Sequence, residues 1–329
     1  MAGSEDLSRD PSQQPRWNRI AERGSLWGLR FTLTCYRLFG RRLTLPLVQA
    51  IVTYFFLTDG PGRRASLAYL KRVHGAAGGS KALGGPPKLR HCYRHYRTFA
   101  LAIVDRLAIW LGSGEEFEFE SEGMERFDRL AEERRGAIIV GAHLGSFDAL
   151  RLLARRMNVT VNVLMYTVNA PLINMIFNKL SPDSEARVIA ADPDSLQAVF
   201  AVRECLRRGE HVAILGDRVE PQKKSRVSTV TLLGGSVQLP QAPVLLAAAL
   251  GCPLILTLAL RSASGRYRVV AETLAESIKL PRRRERDSAV QELLETYSSR
   301  VEYYCTQAPY QWFNFFDYWG ELGDADEPR

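Results

Sequence analysis

Long apolar runs are scarce in this chain of 329 residues. The longest, 43–57, carries Pro46 and Gln49 inside it and stops short of the roughly twenty apolar residues that a bilayer-spanning helix needs. Its shortness excludes a plain spanning helix and leaves peripheral or re-entrant membrane attachment as the expectation. Cysteine is sparse as well: Cys35, Cys92, Cys205, Cys252 and Cys305 are scattered with no C-x2-C pair. That spacing argues against a zinc site or a disulfide framework and favours a reducing cytoplasm. No metal and no cofactor are expected. Residues 1–25 are polar and lack the apolar stretch of a signal peptide, so 1–24 reads as a disordered leader and 321–329 as a disordered tail. The G-x-S-x-G elbow of serine hydrolases is missing, and no internal repeat is visible.

The first hundred residues are short of acid. They hold 17 Lys and Arg against 5 Asp and Glu, while the remainder holds 27 against 31, for a net charge of +8. In that first stretch arginines alternate with large apolar residues, as around Trp27, Phe31, Tyr36 and Phe39. The pattern fits helices lying in an anionic membrane surface, with arginine stems snorkelling above buried aromatic faces. A nucleic-acid partner would share the charge, but no RNA- or DNA-binding motif accompanies it. The segment 25–100 is therefore expected to be a basic, amphipathic, membrane-associated helical region, with anionic lipids as its partner.

Beyond it, 46% hydrophobic and 24% charged residues suffice to bury a full core. Apolar runs of strand length alternate with helical spacing: strands over 137–142, 159–166, 187–190, 211–215, 229–233, 253–260 and 267–272, helices over 148–157, 171–180, 195–208, 240–250 and 285–305. The expected fold is α/β: a single domain over 101–320 with a central mixed β-sheet flanked by helices, preceded by the amphipathic segment.

Chemistry concentrates in the ten residues 141–150, where an apolar strand meets a helix and a histidine stands five residues before a carboxylate: His143 and Asp148. A histidine whose tautomer is fixed by a carboxylate can take a proton from a hydroxyl at neutral pH. With Ser146 as helix cap, Gly145 and Ser146 open the first turn, whose N–H groups are suited to an oxyanion. A loop histidine bonded to a capping aspartate, or Ser146 as a hydrolase nucleophile, remain open alternatives at this point. Asp217 and Arg218 follow the strand 211–215 and are expected at the same sheet edge as His143, with Arg218 facing a phosphate or a thioester oxygen. The basic loop 222–226 reads as solvated charge, and the aromatic tail 312–319 as core closure or an interfacial belt.

The phrase 135–148 resembles the H-x4-D/E block of the lysophospholipid acyltransferase superfamily and, more closely, the bacterial lipid A late (lauroyl/myristoyl) acyltransferases. The resemblance continues through 96–105, 117–130, 212–218, 232–235 and the aromatic block 310–316. Asp148 stands where those enzymes carry glutamate, and no basic residue stands near Asn169, in the region of their second block. The resemblance implies an acyltransferase at the cytoplasmic face of a bacterial inner membrane. Acyl carrier protein or coenzyme A would deliver the acyl thioester, and the acceptor would be a hydroxyl or amine of a lipid or glycolipid. It assigns His143 and Asp148 to catalysis and carries an active-site role onto Asp217 and Arg218, beside the first-turn N–H groups at Gly145 and Ser146 read from the spacing; an acceptor role for Asn169 rests only on its place in the region of the second block. Acyltransferases of aryl polyene pigments and aminolipids share the pattern, and a non-catalytic membrane-binding protein is the rival outside enzymology. Oligomeric state is not legible.

Overall fold

The computed structural model describes residues 26–165, 188–190, 195–219, 226–281 and 284–322. The expected leader 1–24, the helix 171–180 with Asn169, most of the loop 222–226 and the end of the tail lie outside them. Helix α1 (Leu26–Thr58) breaks at Gly40, whose φ of 69° interrupts it. It is followed by α2 (Gly60–Gly75), the short α3 (Gly79–Leu83) and α4 (Leu89–Trp110). Asp59 caps α2 by accepting from the Gly62 N–H, and its other oxygen takes the Tyr96 hydroxyl at 2.7 Å, which ties α2 to α4. α4 runs through residue 100 without a break. Among the described residues, no helix is long and apolar enough to cross a membrane.

The chain then alternates: β1 (Phe119–Glu122), α5 (Glu125–Glu132), β2 (Ile138–Gly141), α6 (Phe147–Arg156), β3 (Val161–Met165), β4 (Val188–Ala190), α7 (Leu196–Arg207) and β5 (His211–Leu215). A hairpin of β6 (Val227–Leu232) and β7 (Gly235–Pro240) leads to α8 (Ala242–Leu250), β8 (Leu254–Arg261), β9 (Tyr267–Ala275) and α9 (Arg284–Gln307). The hairpin corrects the expectation of one strand at 229–233 followed by a helix from 240. Leu233 and Gly234, both at positive φ, turn the chain between paired Leu232 and Gly235, the backbone a tight two-residue hairpin requires.

The seven-stranded sheet has the order β1-β9-β8-β2-β5-β3-β4, parallel except where β8 meets β9. It is the mixed sheet expected, in one α/β domain. Both faces are covered, so the central strands read as nearly continuous apolar runs. On one face Ile138, Val140, Val212 and Ile214 pack with Leu294 and Val301 of α9. On the other, Ile139, Ala213 and Ile255 pack with Phe127 and Leu130 of α5. β2 and β5 are parallel neighbours with Gly141 opposite Leu215, yet the chain leaves β2 towards β3 and leaves β5 towards β8. The two connections cover opposite faces, α6 on the Ile139 and Ala213 side and α8 on the Val140 and Val212 side, which leaves a crevice at the carboxyl ends of the two strands, where α/β sheets bind ligands.

Candidate active site

Two residues past the end of β2 comes His143, and two past the end of β5 comes Asp217. The parallel register of those strands brings them together: His143 Nδ1 lies 2.8 Å from Asp217 Oδ1. The His143 backbone N–H donates to Asp217 Oδ2 at 2.9 Å, and the Trp312 indole N–H donates to the same oxygen at 3.1 Å. The Asp217 side chain is fully buried, while His143 keeps 29% of its side chain exposed. Burial alone would raise the Asp217 carboxyl, but the His143 imidazole, its two hydrogen bonds and the neighbouring Arg218 hold it far below the ordinary carboxylate range. An ionised carboxylate only accepts, so Nδ1 of His143 carries the proton. In the neutral ring Nε2 then carries the lone pair.

The carboxylate that holds His143 is thus Asp217 rather than Asp148, which corrects the pairing expected from the H-x4-D spacing. Asp148 stands in the first turn of α6, 4% exposed, and faces α4. Its Oδ2 accepts from Arg106 Nε at 2.6 Å and its Oδ1 from Trp110 Nε1 at 2.9 Å. The bonds fasten the start of α6, and with it the loop carrying His143, to α4. Asp148→Ala strips both donors of their acceptor. Arg106 is half exposed and can turn to water, so the expected loss is about 1–3 kcal/mol of unfolding free energy, read by denaturant titration.

Ser146 caps α6 as expected, its Oγ accepting from the Ala149 N–H at 3.2 Å; that employment and its burial leave it poorly placed as a nucleophile. Gly145 has φ +83°, and a Cβ there would lie 2.1 Å from the Ala259 carbonyl oxygen, so only glycine fits. The N–H groups of Gly145 and Ser146 donate to Gln311 and Ala259 carbonyls at 2.9 and 2.8 Å. Neither is free to meet an oxyanion, contrary to expectation. Arg218 is likewise engaged, with Nε on Asn314 Oδ1 at 2.7 Å and Nη2 on the Phe313 carbonyl at 3.0 Å.

The aromatic tail, read from sequence as core or belt, does more than close the core. Residues 311–313 run antiparallel to 143–145, with Phe313 N–H on the His143 carbonyl and an isolated bridge between Leu144 and Trp312. Trp312, fully buried, packs on Tyr69 and Tyr318, and its carbonyl lies 3.0 Å from Nε2 of buried His95 on α4. His95 Nδ1 lies 3.0 Å from Ser66 Oγ on α2. The tail's role was missed because it depends on contacts spanning most of the chain.

Burial drives His95 down to about 3, against a smaller upward pull from the Trp312 carbonyl, and burial drives His211 down to about 4. The unfolded chain, with histidines near 6.5, binds protons that the native state refuses. Stability is therefore full above about pH 6.5 and falls as the pH drops towards 4. At pH 5 each histidine removes about 2 kcal/mol relative to pH 7. Thermal melts between pH 7 and 5 should show it, and His211→Gln should flatten part of the slope.

A small, largely apolar cavity of about 40 Å³ lies between α5, α6 and the sheet. It is lined by Phe127, Ile139, Phe147, Leu150, Leu153 and Met157, with Arg151 as its charged member. Neither His143 nor Asp217 lines it. A second, more polar cleft, with Arg218, Thr229, Gln238 and Tyr318 in its walls, lies between the hairpin and the tail. Among the described residues, no group of three or more His, Cys, Asp or Glu could hold a metal ion.

A search of curated proteins found no match. A family model described as bacterial lipid A biosynthesis acyltransferase matches residues 26–320. The match takes in the strand ends that carry His143 and Asp217, the loop of α6 and the tail that encloses them. A lipid acceptor and an acyl donor come with that family, and the chain belongs to the bacterial lipid A biosynthesis acyltransferases: it is an acyltransferase enzyme.

Proposed function

We propose that the protein moves a fatty acyl group from an acyl thioester, on acyl carrier protein or coenzyme A, to a hydroxyl or amine of a lipid or glycolipid, with His143 as general base. The observation that carries this reading is the 2.8 Å contact of His143 Nδ1 with Asp217, just past the carboxyl ends of β2 and β5. Asp217 keeps the proton on Nδ1, so that Nε2 can accept one from the acceptor nucleophile. The nucleophile attacks the thioester carbonyl, the tetrahedral oxyanion collapses, the C–S bond breaks, and the thiolate leaves with the proton that His143 returns. No covalent enzyme intermediate is needed. The acceptor headgroup takes the polar cleft, whose walls include Asp217 and Arg218. In this reading Asp148 serves the reaction by anchoring α6 to α4.

Attachment is to the cytoplasmic face of the bacterial inner membrane. Tyr54 and Leu57 stand exposed on α1 and Leu89 on α4, and α4 also exposes Arg90, Arg94 and Arg97. Exposed apolar side chains together with cations suit anionic headgroups.

The test offers the purified protein radiolabelled acyl carrier protein and acyl-coenzyme A thioesters with a total lipid extract. Label passing from thioester into lipid is the expected result and delivers the product for identification. Release of free fatty acid without labelled lipid would replace transfer by hydrolysis and overturn the reading.

A further inference from the structure

Asp217 has three donors, and two of them come from His143 itself. The third is the Trp312 indole, which enters from the other end of the chain onto Oδ2. Its ring is fixed on every side: Tyr69 at 5.0 Å, Tyr318 at 4.6 Å and Trp319 at 5.7 Å between centroids. Its backbone is fixed by His95 and by the bridge to Leu144. We infer that Trp312 is a positioning residue of the acyl-transfer site, whose indole N–H sets how strongly Asp217 attracts the His143 proton and hence the pH at which His143 can act as a base.

The direction follows from electrostatics. A donor on Oδ2 spreads the carboxylate charge and places a partial positive charge near the imidazole, and both effects disfavour imidazolium. With the donor gone, the carboxylate pulls harder on the ring and His143 keeps its proton to a higher pH. Other groups surround the pair. Arg218 follows Asp217 on the β5 end, Tyr297 and Cys305 approach from α9, and Tyr318 donates its hydroxyl to the Asp217 carbonyl from the tail. His95 touches Trp312 from α4 but stays neutral above its value of about 3. A replacement that keeps the outline of the ring and removes only the N–H leaves these groups in place and isolates one hydrogen bond.

The inference rests on the proposed base role only for its catalytic consequence; the titration itself does not. The experiment labels histidine with ¹⁵N in the full-length protein and in Trp312→Phe, assigns His143 by its loss in His143→Gln, and follows its ring nitrogens with pH. The expected result is a His143 midpoint higher by about half a unit to one unit in the variant, the share of a charged hydrogen bond felt by a neighbour. Half-buried His74, in the last turn of α2, is the control. Should Trp312→Phe fail to fold, benzothienylalanine placed at 312, with sulfur in the N–H position and the same outline, gives the same comparison. An unmoved His143 midpoint in a folded variant overturns the inference. The pH dependence of kcat/KM is then measured on the same proteins. An acidic limb displaced by the same amount joins the titration to catalysis, whereas a displaced titration with an unmoved limb leaves the positioning intact and removes His143 as the base.

Discussion

Replacing His143 by alanine is expected to lower acyl transfer by about 10²- to 10⁴-fold, the contribution of a well-placed general base. The loss should appear in kcat, because the imidazole in this account does little for binding. The variant should still fold: the backbone N–H and carbonyl of residue 143 keep their bonds to Asp217 and Phe313. One cost is foreseeable, since Asp217 Oδ1 loses its donor inside a fully buried site, worth about 1–3 kcal/mol. His143→Gln restores a donor to that oxygen without restoring a base. It should recover stability and remain as slow as the alanine variant. Recovery of activity along with stability would mean that the imidazole matters for structure and not for proton transfer.

Asp217→Asn should cost nearly as much, for a different reason. The amide keeps one oxygen, which both the His143 N–H and the Trp312 indole already claim. Its NH₂ group then faces His143 Nδ1 and can pair only with an unprotonated nitrogen. The proton is forced onto Nε2, the atom that must be free to accept one, and turnover falls by about 10²- to 10⁴-fold. A loss of this kind changes the tautomer while leaving His143 in place. Stopped-assay rates at saturating donor, with circular dichroism as a check on folding, measure it. A variant within about threefold of the wild type would show that Asp217 is a structural acceptor only.

Much of this site was legible in the chain before its structure. His143 at a strand-to-helix junction, Ser146 as the cap of α6 and the strand 211–215 all stand where periodicity and capping chemistry placed them. The partner of His143 was not legible. H-x4-D is a local spacing, and α6 begins so tightly after Ser146 that Asp148 is directed towards Arg106 and Trp110 on α4 instead. Asp217 reaches His143 only because β5 inserts between β2 and β3, and strand order is not written in the hydrophobic pattern of any one strand. The Trp312 indole comes from still farther along the chain. The β6–β7 turn was missed for a smaller reason: Leu233 sits at φ 51°, a conformation in which Asn or Gly is the usual signal.

Acid sensitivity and catalysis also separate cleanly along these lines. His95 and His211 are buried and govern stability as the pH falls below about 6.5. Loss of rate from unfolding would therefore show in both melting and activity.

The most direct test of the His143–Asp217 pairing is the low-field proton resonance of a histidine Nδ1–H bonded to a carboxylate. It should be recorded for the wild type, Asp148→Asn and Asp217→Asn under conditions in which all three are folded. The pairing predicts a His143 resonance that persists in Asp148→Asn and is lost in Asp217→Asn. A resonance lost in Asp148→Asn and retained in Asp217→Asn would contradict it and return the base pair to the H-x4-D spacing.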